Sequence, residues 1–134
     1  MTLKDFSTKY CLHDSYIEKI NITDSKIIME VDQLFCNSNT SLENRISKNQ
    51  KIEILIEGLE LGSEYEHIYT VHFQKNVRKD LPFDKFLALV EKYKMRIYLD
   101  FYSQWAQAMH IKGTIDKFEI EITISEVKDI SLTS

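Results

Sequence analysis

The chain has 134 residues, 43% of them hydrophobic and 28% charged, with a formal net charge of −4. That length and balance fit one globular domain over residues 1–134 and exclude a disordered or fibrous chain. Three glycines and one proline leave no Gly-rich phosphate loop, and a negative chain with pI near 5.6 is a poor general nucleic-acid binder, because phosphate affinity needs clustered Lys and Arg.

The lead Met1–Tyr10 is polar and charged, without the apolar core of a signal peptide, and no later run approaches the ~20 apolar residues of a spanning helix. A cytoplasmic protein with no membrane partner is therefore expected. Cys11 and Cys36 lack Cys-x-x-Cys spacing and read as reduced thiols. Next comes a compact polar knot, Leu12-His13-Asp14-Ser15. Adjacent residues of an extended segment point to opposite faces, so His13 and Asp14 do not jointly chelate one ion without a bend. The knot reads better as a structural polar lock: Asp14 or Ser15 accepts a backbone N–H at the strand start, while His13 packs inward.

Tyr16–Thr23 and Lys26–Asp32 predict a hairpin turning at Asp24-Ser25, with Ile22 opposite Ile27, Ile20 opposite Met29 and Lys19 opposite Glu30. Periodicity then disappears from Gln33 to Gln50, a long loop that is either a binding loop or an insertion. Lys51–Glu57 and His67–Gln74 predict a second antiparallel pair around Gly62-Ser63, with Ile56, Ile54 and Ile52 against Tyr69, Val71 and Phe73, and Glu53 against His72. Between Ile52 and Glu66 the chain carries Glu53, Glu57, Glu60, Glu64 and Glu66 without one Lys or Arg.

A helix is predicted from an N-cap at Asp80 with Pro82 near its first position, because Phe83, Phe86, Leu87, Val90 and Tyr93 recur at helical spacing. The last third reads as strands Met95–Phe101, Gln107–Ile115 and Phe118–Val127, followed by a loose tail from Lys128. A turn at Asp116-Lys117 sets Ile115 opposite Phe118, Gly113 opposite Ile120 and Lys112 opposite Glu121. Pairing Leu99 with Met109 and Ile97 with Ile111 requires a loop of about five residues, Tyr102–Ala106, with Trp105 at its tip. In that register Tyr98 faces His110, with Asp100 diagonal to it, and a carboxylate beside an imidazole is what a general base requires.

The segment Leu12-His13-Asp14-Ser15-Tyr16-Ile17 resembles the opening of a loose group of small uncharacterised bacterial proteins. Those begin Leu-His-Asp-x-x-Ile and continue through β-hairpins. Some are predicted to be immunity proteins of polymorphic toxin systems, so the resemblance implies a protein that binds and inhibits its cognate toxin. It carries over no functional residues. His13-Asp14 is also similar to the doublet of HD-type metal phosphohydrolases, but that site needs further His and Asp on other helices, and the one predicted helix contains no His.

The expected fold is α+β: a twisted antiparallel sheet, or two packed sheets, of about seven strands with one helix between the fourth and fifth strands. The expected function is a non-enzymatic, protein-binding domain of immunity-like type, without cofactor or metal, using Glu57, Glu60, Glu64 and Glu66 or the group Tyr98, Asp100, Tyr102, Trp105 and His110, where Trp and Tyr suit a binding hot spot. The alternative is a small-molecule-binding or hydrolytic domain with a His/Asp pocket built from Asp100 and His110, or His13 and Asp14.

Overall fold

The computed structural model describes residues 1–23, 26–36, 45–47, 50–56 and 68–133. Residues 24–25, 57–67 and 134 fall outside this set. So do the expected turns at Asp24-Ser25 and Gly62-Ser63, the middle of the 33–50 loop, and Glu57, Glu60, Glu64 and Glu66.

The lead is not a simple tail. It forms helix α1 (Leu3–Lys9), opened by a capping box in which the Thr2 hydroxyl accepts from Asp5 N–H and the Asp5 carboxylate from Thr2 N–H. Its Leu3 and Phe6, one turn apart, are buried. Strands β1 (Tyr10–Cys11), β2 (Tyr16–Thr23) and β3 (Lys26–Asp32) follow, then two short strands in the region expected to be all loop, β4 (Leu34–Cys36) and β5 (Arg45–Ser47). After β6 (Gln50–Ile56), β7 (Ile68–Gln74) and β8 (Val77–Asp80) come helix α2 (Phe83–Tyr93), β9 (Met95–Ser103), β10 (Ala108–Ile115), β11 (Phe118–Ile124) and β12 (Val127–Thr133).

The fold is thus a mostly antiparallel sheet with helices, but not the arrangement expected from the sequence. Among the described residues one sheet has nine strands in the order β12-β6-β3-β2-β9-β10-β11-β7-β8, and a small one runs β1-β4-β5. The principal helix follows β8 rather than lying between the fourth and fifth strands, and its N-cap is Pro82 without a side-chain cap bond. Asp80 ends β8 instead, accepting the Tyr69 hydroxyl.

The pairs β2–β3 and β10–β11 have the predicted registers. Ile22 pairs with Ile27, Ile20 with Met29 and Lys19 with Glu30. Ile115 pairs with Phe118, Gly113 with Ile120 and Lys112 with Glu121, the last closed by a 3.1 Å ion pair. The expected pairing of β6 with β7 does not occur. β6 lies between β3 and β12, with Glu53 opposite Ile28 and Ser131, while β7 lies between β11 and β8, with His72 opposite Ile120 and Lys79. Alternating burial marks which face of a strand is apolar, not which strand it pairs with. The tail that looked loose is β12, whose Ile130 is fully buried against β6.

β2 and β9 share only two residue pairs, Tyr16 with Arg96 and Ile17 with Met95, so the long sheet bends there into two arms. Their inner faces form one core: Ile27, Met29, Ile52 and Ile54 from one arm, Ile97, Met109, Ile111 and Ile122 from the other. The sheet curls until its first strand meets its middle. Val127 N–H of β12 donates to the Gln107 carbonyl at the start of β10 (2.9 Å), although four strands separate β12 from β10 in the sheet order. Helix α1 bridges β12 and β9, and α2 places Phe86 and Val90 in the core between β2, β7 and β10.

Candidate binding face

The geometry of the site begins with one extra residue. In β9 the register against β10 runs Ser103–Ala108, Tyr102–Met109, Phe101–His110, Asp100–Ile111 and Leu99–Lys112, then jumps to Ile97–Gly113, leaving Tyr98 as a bulge. The expected pairs Leu99–Met109 and Ile97–Ile111 therefore do not form, and the connecting turn shrinks to residues 104–107. Opposed residues share a face, so the bulge swaps faces for everything after it: Asp100 and Tyr102 turn inward, while Leu99 and Phe101 turn outward. Gly113 permits this, since a Cβ there would lie 2.1 Å from the Arg96 carbonyl oxygen.

Inside, Asp100 is a clamp. One carboxylate oxygen accepts from the Tyr102 hydroxyl (2.8 Å) and from Leu12 N–H (3.2 Å), and the Cys11 thiol lies 3.8 Å from the other. The Tyr102 ring also meets Phe6 edge-on at 6.1 Å. Burial, reinforced by the adjacent Asp100 charge, pushes the Tyr102 hydroxyl far above the ordinary phenol range. Burial also raises the Cys11 thiol, against the lowering effect of the His13 N–H that points at its sulfur (3.3 Å), and Asp100 raises it further. Cys11 is thus a protonated thiol at neutral pH, the opposite of an activated nucleophile.

The polar knot lies beside this clamp. Asp14 adopts a left-handed φ of 67° and its N–H donates to the Ile97 carbonyl (2.9 Å), while Ile97 N–H donates to the Ser15 carbonyl (2.8 Å). Ser15 is fully buried and its hydroxyl donates to the Gln33 carbonyl (2.9 Å). His13 does not pack inward: its imidazole is half-exposed, 3.6 Å from the Asp14 carboxylate, which Arg96 approaches at 4.0 Å.

Outside, a row of side chains crosses four strands. Phe101 and His110 stack at 4.5 Å with their rings within 13° of parallel, and His110 Nδ1 meets the Thr123 hydroxyl at 3.2 Å. Thr123 pairs with Tyr69, whose ring carries the Arg78 guanidinium at 5.5 Å. Desolvation holds the His110 imidazole below its ordinary value, although Glu121 pulls the other way. Lys112, bonded to Glu121, stands 5.9 Å over Phe101. Tyr98 projects from the bulge, its phenol raised by partial burial and by Glu119. Trp105, at the tip of the β9–β10 turn, is 97% exposed.

The predicted group is therefore divided. Tyr98 and Trp105 face solvent, His110 lies half-buried on the same outer face, Asp100 and Tyr102 face inward, and the convergence of Asp100 with His110 does not exist. Leu99, Phe101 and Tyr69, which simple alternation assigns to the core, are 40–45% exposed and belong to the outer face. The one sequence signal for the swap is Gly113 in the middle of a regular strand, since strand glycines mark bulges and close backbone approach. Among the described residues no helix is long and apolar enough to cross a membrane, and no group of three or more His, Cys, Asp or Glu is placed to hold a metal ion. No protein-family model matches this chain, and neither a curated protein nor a solved structure matches it.

Proposed function

We propose that the chain is a non-enzymatic protein-binding domain, an immunity-like inhibitor acting in the bacterial cytoplasm, that docks a cognate toxin on the outer face of β9, β10, β11 and β7. The observation that carries this reading is the set of large side chains left in solvent on one surface: Tyr69, Tyr98, Leu99 and Phe101, with Trp105 at the adjoining tip. Exposed apolar patches on soluble domains mark interaction sites, and Trp and Tyr supply most of the energy at such sites. The ion pair Lys112–Glu121 and the residues Arg78 and Glu119 give the patch a mixed-charge surround, which selects partners and speeds encounter. The resemblance of the opening Leu12-His13-Asp14 to a loose group of small bacterial proteins, some of them predicted to be immunity proteins, points the same way.

The test is co-expression with a toxin-like product of the neighbouring reading frame. The chain should restore growth, and the double variant Phe101→Ala/Trp105→Ala should not, while keeping the parent melting temperature. Full rescue by the double variant removes the outer face from the proposal.

A further inference from the structure

β8 pairs with β7 only over Val71–Gln74, and beyond Asp80 the chain peels away through Leu81 and Pro82 into α2. Two bonds hold the departure point: Leu81 N–H to the Thr70 carbonyl (3.0 Å), and the Thr70 hydroxyl to the Leu81 carbonyl (2.5 Å). The gap left beside the start of β7 is a pocket of about 180 Å³, lined by Ile68, Thr70, Leu81, Pro82 and Phe83 and by the exposed Tyr69 and Asp80. Pockets for whole small molecules run to roughly 300–1,000 Å³, so this one accommodates a single side chain. It is continuous with the proposed binding face, because Tyr69 ends the row that begins at Phe101, three strand spacings or about 14 Å away.

Its chemistry is an apolar sleeve with one anionic rim. The Tyr69 hydroxyl donates to one oxygen of Asp80 at 2.5 Å, and the other oxygen has no partner among the described residues. Arg78 is turned onto the Tyr69 ring and forms no ion pair with Asp80. An aliphatic stem fits the walls and a cation fits the remaining oxygen. A guanidinium fork reads both oxygens of a carboxylate and would share one of them with the Tyr69 hydroxyl, whereas an ammonium needs only one acceptor.

We infer that the pocket at the end of β8 receives a lysine side chain of the partner protein, its alkyl stem against Phe83 and Leu81 and its ammonium on Asp80. This rests on the reading of the outer face as the docking surface. The expected distinction is electrostatic: loss of the charge pair at an exposed rim weakens binding by about three- to fivefold.

The experiment is a backbone-amide NMR titration of the full chain with N-acetyl-lysine amide, at constant ionic strength, beside the norleucine and arginine analogues. Saturable shifts should centre on Tyr69, Thr70, Leu81 and Phe83, with norleucine about three- to fivefold weaker and arginine no tighter than lysine. Asp80→Asn should weaken lysine to the norleucine level, Tyr69→Phe should preserve binding by leaving the carboxylate intact, and Arg78→Ala should strengthen it by removing a competing positive charge. Equal binding of lysine and norleucine, tighter binding of arginine, or no saturable shift at these amides overturns the inference. Phe101→Ala lies outside the pocket and should leave the titration unchanged. A failure of the outer-face reading in the rescue test is therefore separable from a failure here.

Discussion

Gly113 on β10 lies directly under the Arg96 carbonyl of β9, so close that an added Cβ would sit 2.1 Å from that oxygen and 2.9 Å from the Met95 methyl. The contact is with backbone, which cannot swing aside. Gly113→Ala should therefore cost about 2–3 kcal/mol in urea unfolding, at the upper end of overpacking effects. Because the same contact holds the bulge, the variant should also lose the cross-strand proximity of Phe101 to His110. A neutral substitution would show that the bulge does not depend on this glycine.

Asp100 joins β9 to the segment after α1. Asp100→Ala leaves the partly buried Tyr102 hydroxyl and the Leu12 N–H without their acceptor, and should destabilise by about 2–3 kcal/mol. Tyr102→Phe keeps the ring and removes one donor, and should cost only about 1 kcal/mol. If the two variants lose the same stability, the carboxylate is not the shared acceptor that organises this corner.

The thiol of Cys11 and the hydroxyl of Tyr102 are both raised in the folded state, chiefly by burial. For an acid that is neutral when protonated, this means the native state binds more protons than the unfolded chain once pH passes the ordinary thiol and phenol values, roughly 8.5 and 10. Stability is thus fully present at neutral pH and falls as pH rises beyond them. Melting temperatures from pH 7 to 11 should decline, and Tyr102→Phe should flatten the upper part of that decline. At neutral pH iodoacetamide should label Cys11 slowly, and faster in Asp100→Asn, where the nearby negative charge is gone.

His110 is shifted the other way, mainly because partial burial disfavours its charged form, and the Phe101 ring stacks on it at 4.5 Å. A depressed imidazole contributes stability that is present above the ordinary value near 6.5 and is lost as pH falls towards the folded-state value. Phe101→Ala should move the His110 titration, followed by ring-proton NMR, back up. No movement would place the cause elsewhere.

The knot separates into a buried and an exposed part. Ser15→Ala removes a fully buried hydroxyl and leaves the Gln33 carbonyl without its donor, and should cost about 1–2 kcal/mol. His13→Ala removes a half-exposed ring paired at 3.6 Å and should stay within about 0.5 kcal/mol of the parent. The reverse order would make His13 the structural member.

What could be read from residues alone follows from chain distance. The hairpins at residues 24–25 and 116–117 were legible because a two-residue connection leaves one register that keeps isoleucines on a single face. The partners of β6 and β7 were not, because Ile52, Ile54 and Ile56 fit any apolar face equally well, and their true neighbours lie across long stretches of sequence. Helix α1 is too short for a periodic signal, with Leu3 and Phe6 as its only buried residues. At the outer face Tyr98 and Trp105 were legible as exposed aromatic positions and His110 as a half-exposed polar one. The inward turn of Asp100 and the outward turn of Phe101 depend on one bulge that strict alternation cannot express.

The strand that completes the first arm, β12, follows the other described strands in sequence. Until Val127–Thr133 arrives, β6 presents an unpaired edge of Ile52, Ile54 and Leu55, and α1 has only half of its seat. During synthesis this is a matter of timing: everything up to β11 emerges first, and an open hydrophobic edge is the species that pairs with the wrong chain. Folding of this protein is therefore gated by β12, and slowing its appearance lengthens the interval in which aggregation competes with closure.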